Sequence, residues 1–183
     1  VFLDGTRSTY VELPPYIVDA HQTFTVEAWA STLPTTPTAA WTRLFDFGNS
    51  TIGAGGNQFA YFTPNGGGAA PFFTRIAIST PPAGGEQGAS TAAGTSLDGT
   101  GMRHVVATFQ TDPAEQRYVR VYVDNVLTIT NSTVVRSMTN VNDDFNFIGR
   151  SLFAADNYLT GVIDELRLYY GALTPGQVAA NFA

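Results

Sequence analysis

The sequence contains no cysteine, and charged residues occupy only 13% of its 183 positions. Without thiols it can form no disulfide, no thiolate nucleophile and no zinc–thiolate site. Lysine is missing as well. All nine basic residues are arginine, set against 15 acids, for a formal net charge of -6. A surface of that sign has no basic stripe to neutralise a phosphate backbone or an anionic leaflet, so neither nucleic acid nor a membrane surface is expected as a partner. No apolar run reaches the ~20 residues that span a bilayer. The chain begins with Val1 rather than Met, as expected of a module taken from a longer, multidomain protein whose signal peptide would lie upstream.

Hydrophobic residues make up 44% of the chain and aromatic residues 13%, ample for a packed interior. No shift in composition marks a linker, so residues 1–183 are expected to form one domain. Apolar and polar residues alternate with the period of a half-buried strand in nearly every readable segment. These segments are Tyr10 to Leu13, Phe24 to Trp29, Arg43 to Phe47, Gln58 to Phe62, Arg75 to Ile78, His104 to Phe109, Tyr118 to Val123, Val126 to Ile129, Phe145 to Ile148 and Gly161 to Tyr170. Asp124-Asn125 separates two of these runs with residue types that tolerate positive φ, which is a hairpin signal. The stretch Pro81 to Thr100, rich in Gly, Ala, Ser and Thr, has no period and is expected to be a long loop. One helix is expected, at the C-terminus, where Thr174 caps, Pro175 takes the first position and Gln177 completes a capping box. Short strands joined by turns, without interleaved helices, specify an all-β antiparallel sandwich or barrel rather than an α/β sheet, and the expected architecture is a two-sheet antiparallel sandwich with a short C-terminal helix.

The closing segment, from Phe147-Ile148-Gly149-Arg150-Ser151 through Gly161-Val162-Ile163-Asp164-Glu165-Leu166-Arg167-Leu168-Tyr169 to Ala172-Leu173-Thr174, resembles the end of laminin G-like, concanavalin A-like jelly rolls. Leu3-Asp4-Gly5 with Tyr10-Val11, Phe24 to Trp29, and His104 to Phe109 with Val121 to Asp124 are similar to that family in the same order. Gly48 to Gly101 matches only in outline. The resemblance implies a jelly-roll sandwich. It also implies a secreted or cell-surface module that binds carbohydrate or adheres to proteins, often beside a glycoside hydrolase and often holding calcium. Asp4, Gly5 and Asp164 are the calcium residues it points to, because the first and last strands of a jelly roll adjoin. Otherwise Asp4-Gly5 is an ordinary turn and Asp164 an ion-pair partner for Arg167.

Sugar recognition needs aromatic faces against the apolar side of a ring, and Arg, Asp or Asn on its hydroxyls. Trp41, Arg43, Asp46, Tyr61, Phe72, Phe73 and Arg75 supply those types in the poorly matched middle, and Asn157 and Tyr158 supply them in the loop before the last strand. Phe45, Phe47, Phe59 and Phe62 are expected in the core, Trp29 in a packed position, and Glu27 beside an arginine. Asn142-Asp143-Asp144 reads as a solvated turn. Two tripeptides, Asn49-Ser50-Thr51 and Asn131-Ser132-Thr133, match the glycosylation pattern.

An enzyme is not expected. The glucanase strand pattern Glu-x-Asp-x-x-Glu is missing, and the adjacent Asp164-Glu165 point to opposite faces of a strand. His104, in an apolar strand, reads as structural. A calcium-stabilised carbohydrate-binding module is the leading expectation, with a protein-adhesion module next and a hydrolase or lyase last.

Overall fold

The computed structural model describes residues 1–34, 39–49, 57–80 and 85–183. Among the described residues twelve strands are present: β1 (Phe2–Leu3), β2 (Val11–Leu13), β3 (Thr23–Thr32), β4 (Phe45–Gly48), β5 (Phe59–Gly66), β6 (Phe73–Ser79), β7 (Gln87–Ser90), β8 (Gly101–Gln110), β9 (Tyr118–Val123), β10 (Val126–Asn131), β11 (Phe145–Ile148) and β12 (Gly161–Tyr169). They form two six-stranded antiparallel sheets, ordered β1-β12-β3-β8-β9-β10 and β2-β11-β4-β5-β6-β7. The architecture is the expected all-β sandwich. Among the described residues no helix is long and apolar enough to cross a membrane.

Strand alternation builds the core. Phe24, Val26 and Ala28 of β3, with Val105, Ala107 and Phe109 of β8, face Phe45 and Phe47 of β4, Phe62 of β5, and Ile76 and Ile78 of β6. Each Val, Ile or Phe among them contributes ~1.5–3 kcal/mol by leaving water. Phe59 is three residues from Phe62, so the two point to opposite faces. Phe59 is buried in a separate cluster on the outer face of the second sheet, not in the inter-sheet core.

The stretch expected to be a loop contains β7, paired with β6 from Ile78↔Gln87 to Arg75↔Ser90. Gln87, Gly88, Ala89 and Ser90 lack the branched side chains that mark a strand in sequence, and backbone pairing at the sheet edge alone defines it. Residues 81–84 of that stretch, and Ser50 and Thr51 of the first glycosylation tripeptide, lie outside the described residues. The Asn131 amide of the second tripeptide donates to the Gly88 carbonyl at 2.9 Å.

Asp143 is not a solvated turn residue. It is fully buried and accepts hydrogen bonds from the backbone N–H groups of Ile17 (2.8 Å), Val18 (3.2 Å) and Asp19 (3.1 Å) and from the Asn146 amide (2.8 Å). It thereby ties the segment after β2 to the start of β11.

The C-terminal helix α1 (Pro175–Phe182) begins with the expected capping box on Thr174 and Gln177. It lies on the outer face of the first sheet, where Val178 and Leu173 pack on Val106 and Tyr122. Buried Glu27 sits beneath it. Its carboxylate takes the His104 ring nitrogen at 2.7 Å, the Tyr169 hydroxyl at 2.5 Å and the Asn181 amide at 2.9 Å, while Arg167 stays 3.8 Å away. Glu27 is therefore chiefly paired with histidine and tyrosine rather than arginine. Trp29 stacks on Phe182 of the helix, with ring centroids 5.8 Å apart, and His104 is wholly buried beside them.

Candidate functional site

The outer face of the second sheet, turned away from the core, carries a row of residues set opposite one another: Glu12, Phe147, Asp46, Tyr61, Ala77 and Gly88. The connection from β11 to β12 crosses this face, seating Leu152 and Phe153 on Phe59, Tyr61, Ala77 and Phe147. Gly48 makes room for the crossing. A Cβ there would come within 2.2 Å of the Gln58 carbonyl oxygen and 2.9 Å of Leu152 Cδ1.

Arg43 organises one side of the crossing. Its guanidinium is almost wholly buried and bonds three ways: Nη2 to Asp156 Oδ2 at 2.8 Å, Nε to Asp46 Oδ2 at 3.3 Å, and Nη1 to the Trp41 carbonyl at 2.7 Å. It also lies over the Tyr61 ring, 4.1 Å from its centroid. A planar, permanently charged fork suits this position because it can bind two carboxylates and stack on a ring at once. Ser151 joins the same network, donating to Asp156 at 2.7 Å and Asp46 at 3.3 Å, and the Leu152 N–H donates to Asp46 at 3.0 Å. Two carboxylates thus share one guanidinium. The cluster retains a net negative charge, and Asp46 Oδ1 has no hydrogen-bond partner among the described residues.

Burial raises the pKa of both acids, to about 6 for Asp46 and in the same direction for Asp156, with Arg43 opposing the rise in each case. An acid that holds its proton more tightly folded than unfolded loses stability as pH rises from the unfolded pKa to the folded one. For Asp46 that window runs from 3.8 to about 6. Asp46→Asn should therefore flatten the stability profile over this window, with a differential loss for the wild type approaching ~3 kcal/mol. Urea titrations of both proteins at intervals between pH 4 and pH 7 check this. Parallel profiles would sink it.

Trp41, Arg43, Tyr61, Glu86, Phe153 and Asp156 line an open pocket of about 200 Å³. Trp41 is held at φ 57, a left-handed conformation costly for a bulky residue, by its N–H bond to the Asn65 carbonyl at 2.6 Å and the Arg43 bond to its own carbonyl. Its indole meets Phe73 edge-on at 5.8 Å. Opposite, Glu86 accepts from the Tyr61 hydroxyl at 3.1 Å and from Arg75 Nε at 2.7 Å. Burial, with Glu86 adding to it, raises the Tyr61 pKa and keeps the phenol protonated.

Of the residues singled out for sugar binding, Trp41, Arg43 and Tyr61 come together at the pocket, with Asp46 directly behind it. Phe73 and Arg75 support the walls. Asn157 donates to the Ala40 carbonyl at 2.9 Å, tying the crossing loop to the segment that holds Trp41. Phe72 is half-buried beyond the pocket and Tyr158 lies across the loop, near Tyr10. Glu86, Phe153, Asp156 and Ser151 complete the site without having been singled out. Glu86 sits in the aperiodic stretch, and the other three belong to a loop that folds back over the sheet, an arrangement no local pattern announces.

Asp4 and Asp164 are not brought together. β1 and β12 do pair, but Phe2 opposes Val162 and Leu3 opposes Gly161, so Asp4 falls near Thr160, four residues short of Asp164. At ~3.3 Å per residue the offset is about 13 Å. The Asp4 carboxylate instead accepts from the Thr6 N–H and hydroxyl and faces Arg7, while Asp164 occupies an irregularity in the pairing of β12 with β3. Gly5 serves close packing, since a Cβ there would lie 2.6 Å from the Tyr158 carbonyl oxygen. Calcium takes six to eight oxygen ligands at short range. The pair does not fit a shared ion, and among the described residues no three His, Asp or Glu converge on a metal site.

Comparison with solved structures finds the same fold in proteins of low sequence identity. Domain 4 of AbnA, a GH43 extracellular arabinanase from Geobacillus stearothermophilus, solved in complex with arabinotriose, superposes with a TM-score of 0.69 at 21% identity. The match covers 98% of this chain and 74% of that one. The CBM40 of the Ruminococcus gnavus IT-sialidase gives 0.68 at 12% identity, covering 96% and 97%. Domains LG4-5 of the mouse laminin alpha1 chain give 0.60 at 13%, covering 94% and 43%. No curated protein matches the chain in sequence. A laminin G-type family model, described as the concanavalin A-like lectin/glucanases superfamily, matches residues 4–179. With nearly the whole length matched and the sandwich in place, the chain belongs to the concanavalin A-like lectin/glucanases superfamily.

Proposed function

We propose that the chain is a non-catalytic carbohydrate-binding module that carries an attached or partner enzyme to polysaccharide outside the cell. The observation that carries this reading is the pocket beside Trp41. It is concave and open, walled by the Trp41 and Phe153 rings, and edged by the acceptors Glu86 and Asp156. Aromatic faces suit the apolar side of a sugar ring, and carboxylates fixed by arginines accept from its hydroxyls without reorganising. At about 200 Å³ it is smaller than the ~300–1,000 Å³ that encloses a drug-sized ligand, which fits one ring of a chain whose remainder lies along the surface.

Binding without turnover is supported by how the acids are used. Asp46 is fully buried behind Arg43, and Asp156 shares the same guanidinium and serine. Neither is free to flank a glycosidic bond as an acid or nucleophile. The similarity of the fold to arabinanase domain 4 and to a sialidase CBM40 supports a module of a larger secreted enzyme.

Trp41→Ala removes the half-buried aromatic wall and leaves the Arg43 network in place. Affinity for a glycan found on an oligosaccharide array should fall at least tenfold, with a melting temperature close to wild type. Calorimetry on the purified module reads the affinity. An array without hits, or full affinity in Trp41→Ala, would overturn the pocket as the binding site.

A further inference from the structure

Arg150 is the feature of this face that the pocket does not use. Five of the nine arginines make ion pairs: Arg7, Arg43, Arg75, Arg103 and Arg167. Arg117 and Arg136 donate to backbone carbonyls. Arg120 and Arg150 have neither an ion pair nor a hydrogen bond among the described residues; Arg120 lies over the single Tyr118 ring on the other sheet, 3.8 Å from its centroid, and Arg150 is the one on this face. Its guanidinium carbon lies over three rings, 4.6 Å from the centroid of Phe147, 4.7 Å from Tyr10 and 5.8 Å from Tyr158. Glu12, opposite Phe147 in the strand register, forms no ion pair with it. In a chain of net charge -6, a partly exposed arginine without a carboxylate is a charge left available.

The rings explain how Arg150 is kept available. Stacking on aromatic faces holds a guanidinium in place while leaving its N–H donors unspent, which a hydrated lysine ammonium would not do as well. The rings are themselves fixed, since Tyr10 meets Phe147 edge-on at 5.4 Å and Tyr158 approaches Tyr10 at 6.0 Å. Phe147 is opposite Asp46 in the β11–β4 register, and Tyr158 is two residues beyond Asp156 in the crossing loop. Arg150 therefore stands on the same outer face as the pocket, on the other side of the loop.

We infer that Arg150 is a second subsite, one that takes a carboxylate on an acidic sugar, so that the ligand is a glycan containing uronic or other acidic residues. This rests on the carbohydrate-binding reading above. A planar carboxylate matches the guanidinium fork through two parallel hydrogen bonds, and a charge-assisted pair of this kind discriminates about tenfold or more against a neutral partner.

The test compares matched ligands, sialyllactose against lactose and digalacturonate against its methyl ester, on wild type, Arg150→Met, Arg150→Lys and Trp41→Ala. In wild type at least one acidic member should bind about tenfold more tightly than its neutral mate, with the advantage shrinking as salt is raised. Arg150→Met should abolish that advantage and leave neutral binding unchanged, and Arg150→Lys should restore only part of it. Melting temperatures confirm that each variant is folded. Acidic and neutral ligands bound equally, or an advantage that survives Arg150→Met, would overturn the subsite and leave the pocket standing. Equal capture by Arg150 of a sulfated, carboxyl-reduced oligosaccharide would overturn the carboxylate class. Failure of every glycan to bind any of the proteins would overturn both readings.

Discussion

Replacement of Asp143 by alanine is expected to cost about 4 kcal/mol and to lower the melting temperature by roughly 10 °C. The estimate follows from what the carboxylate holds. Three consecutive backbone N–H groups, those of Ile17, Val18 and Asp19, and the Asn146 amide all donate to it, and the Asp143 side chain is fully buried. Truncation strands these donors away from water. Each unmade buried hydrogen bond carries a penalty of ~1–3 kcal/mol, of which relaxation and entering water recover part. Asp143→Asn retains an acceptor oxygen but loses the charge and faces donors with its own amide, so it should fall between alanine and wild type. Thermal denaturation of the three proteins at neutral pH checks the order. A drop of under ~2 °C for alanine would show that the segment from 16 to 19 is held by other contacts.

Arg43→Met should be nearly as damaging, by ~3–5 kcal/mol, and should abolish glycan binding as well. Methionine fills much of the space over the Tyr61 ring but leaves Asp46 and Asp156 buried with no counter-ion. The carbonyl of Trp41 also loses its donor, and with it a contact that maintains the left-handed conformation at this residue. The defect has a diagnostic pH dependence. Both carboxyls already have raised pKa values, so without Arg43 they take up protons more readily still, and the gap between variant and wild type should narrow towards pH 4. Urea titrations at pH 7 and pH 4 measure the gap. A defect independent of pH would mean that the loss comes from packing rather than from stranded charge. Arg43→Lys keeps the charge but not the fork, and should recover part of the stability while leaving the Trp41 wall misplaced.

These two residues also mark the limit of what could be read before folding. Arg43 was recognisable as a sugar-site candidate by its chemical type, but its role in joining two acids and two rings was not, because Asp156 is 113 residues away in the chain. Asp143 was misread because Asn-Asp-Asp is the composition of an exposed turn, and its partners, the N–H groups of 17 to 19, are more than 120 residues distant. β7 was missed for the opposite reason: Gly88 and Ala89 carry no side-chain signal, and a strand at a sheet edge is specified by its neighbour's backbone.

The Asp4 and Asp164 pair shows the same division more sharply. That β1 and β12 adjoin was implied by the family resemblance. Where along the pair each residue falls is a matter of register, and a four-residue offset moves two carboxylates beyond reach of one ion.

The sequence by itself determined the all-β sandwich, the core positions of Phe45, Phe47 and Phe62 and the capped C-terminal helix, because periodicity and capping act over a few residues and need no knowledge of the partner strand. The tertiary structure alone decided that the loop from 149 to 160 turns back across the outer sheet. That path brings Ser151, Phe153 and Asp156 to Arg43 and Trp41, and sets Tyr158 beside Arg150. Its contacts are long-range, and what holds them is burial of Leu152 and Phe153 on a face that strand alternation alone would assign to solvent.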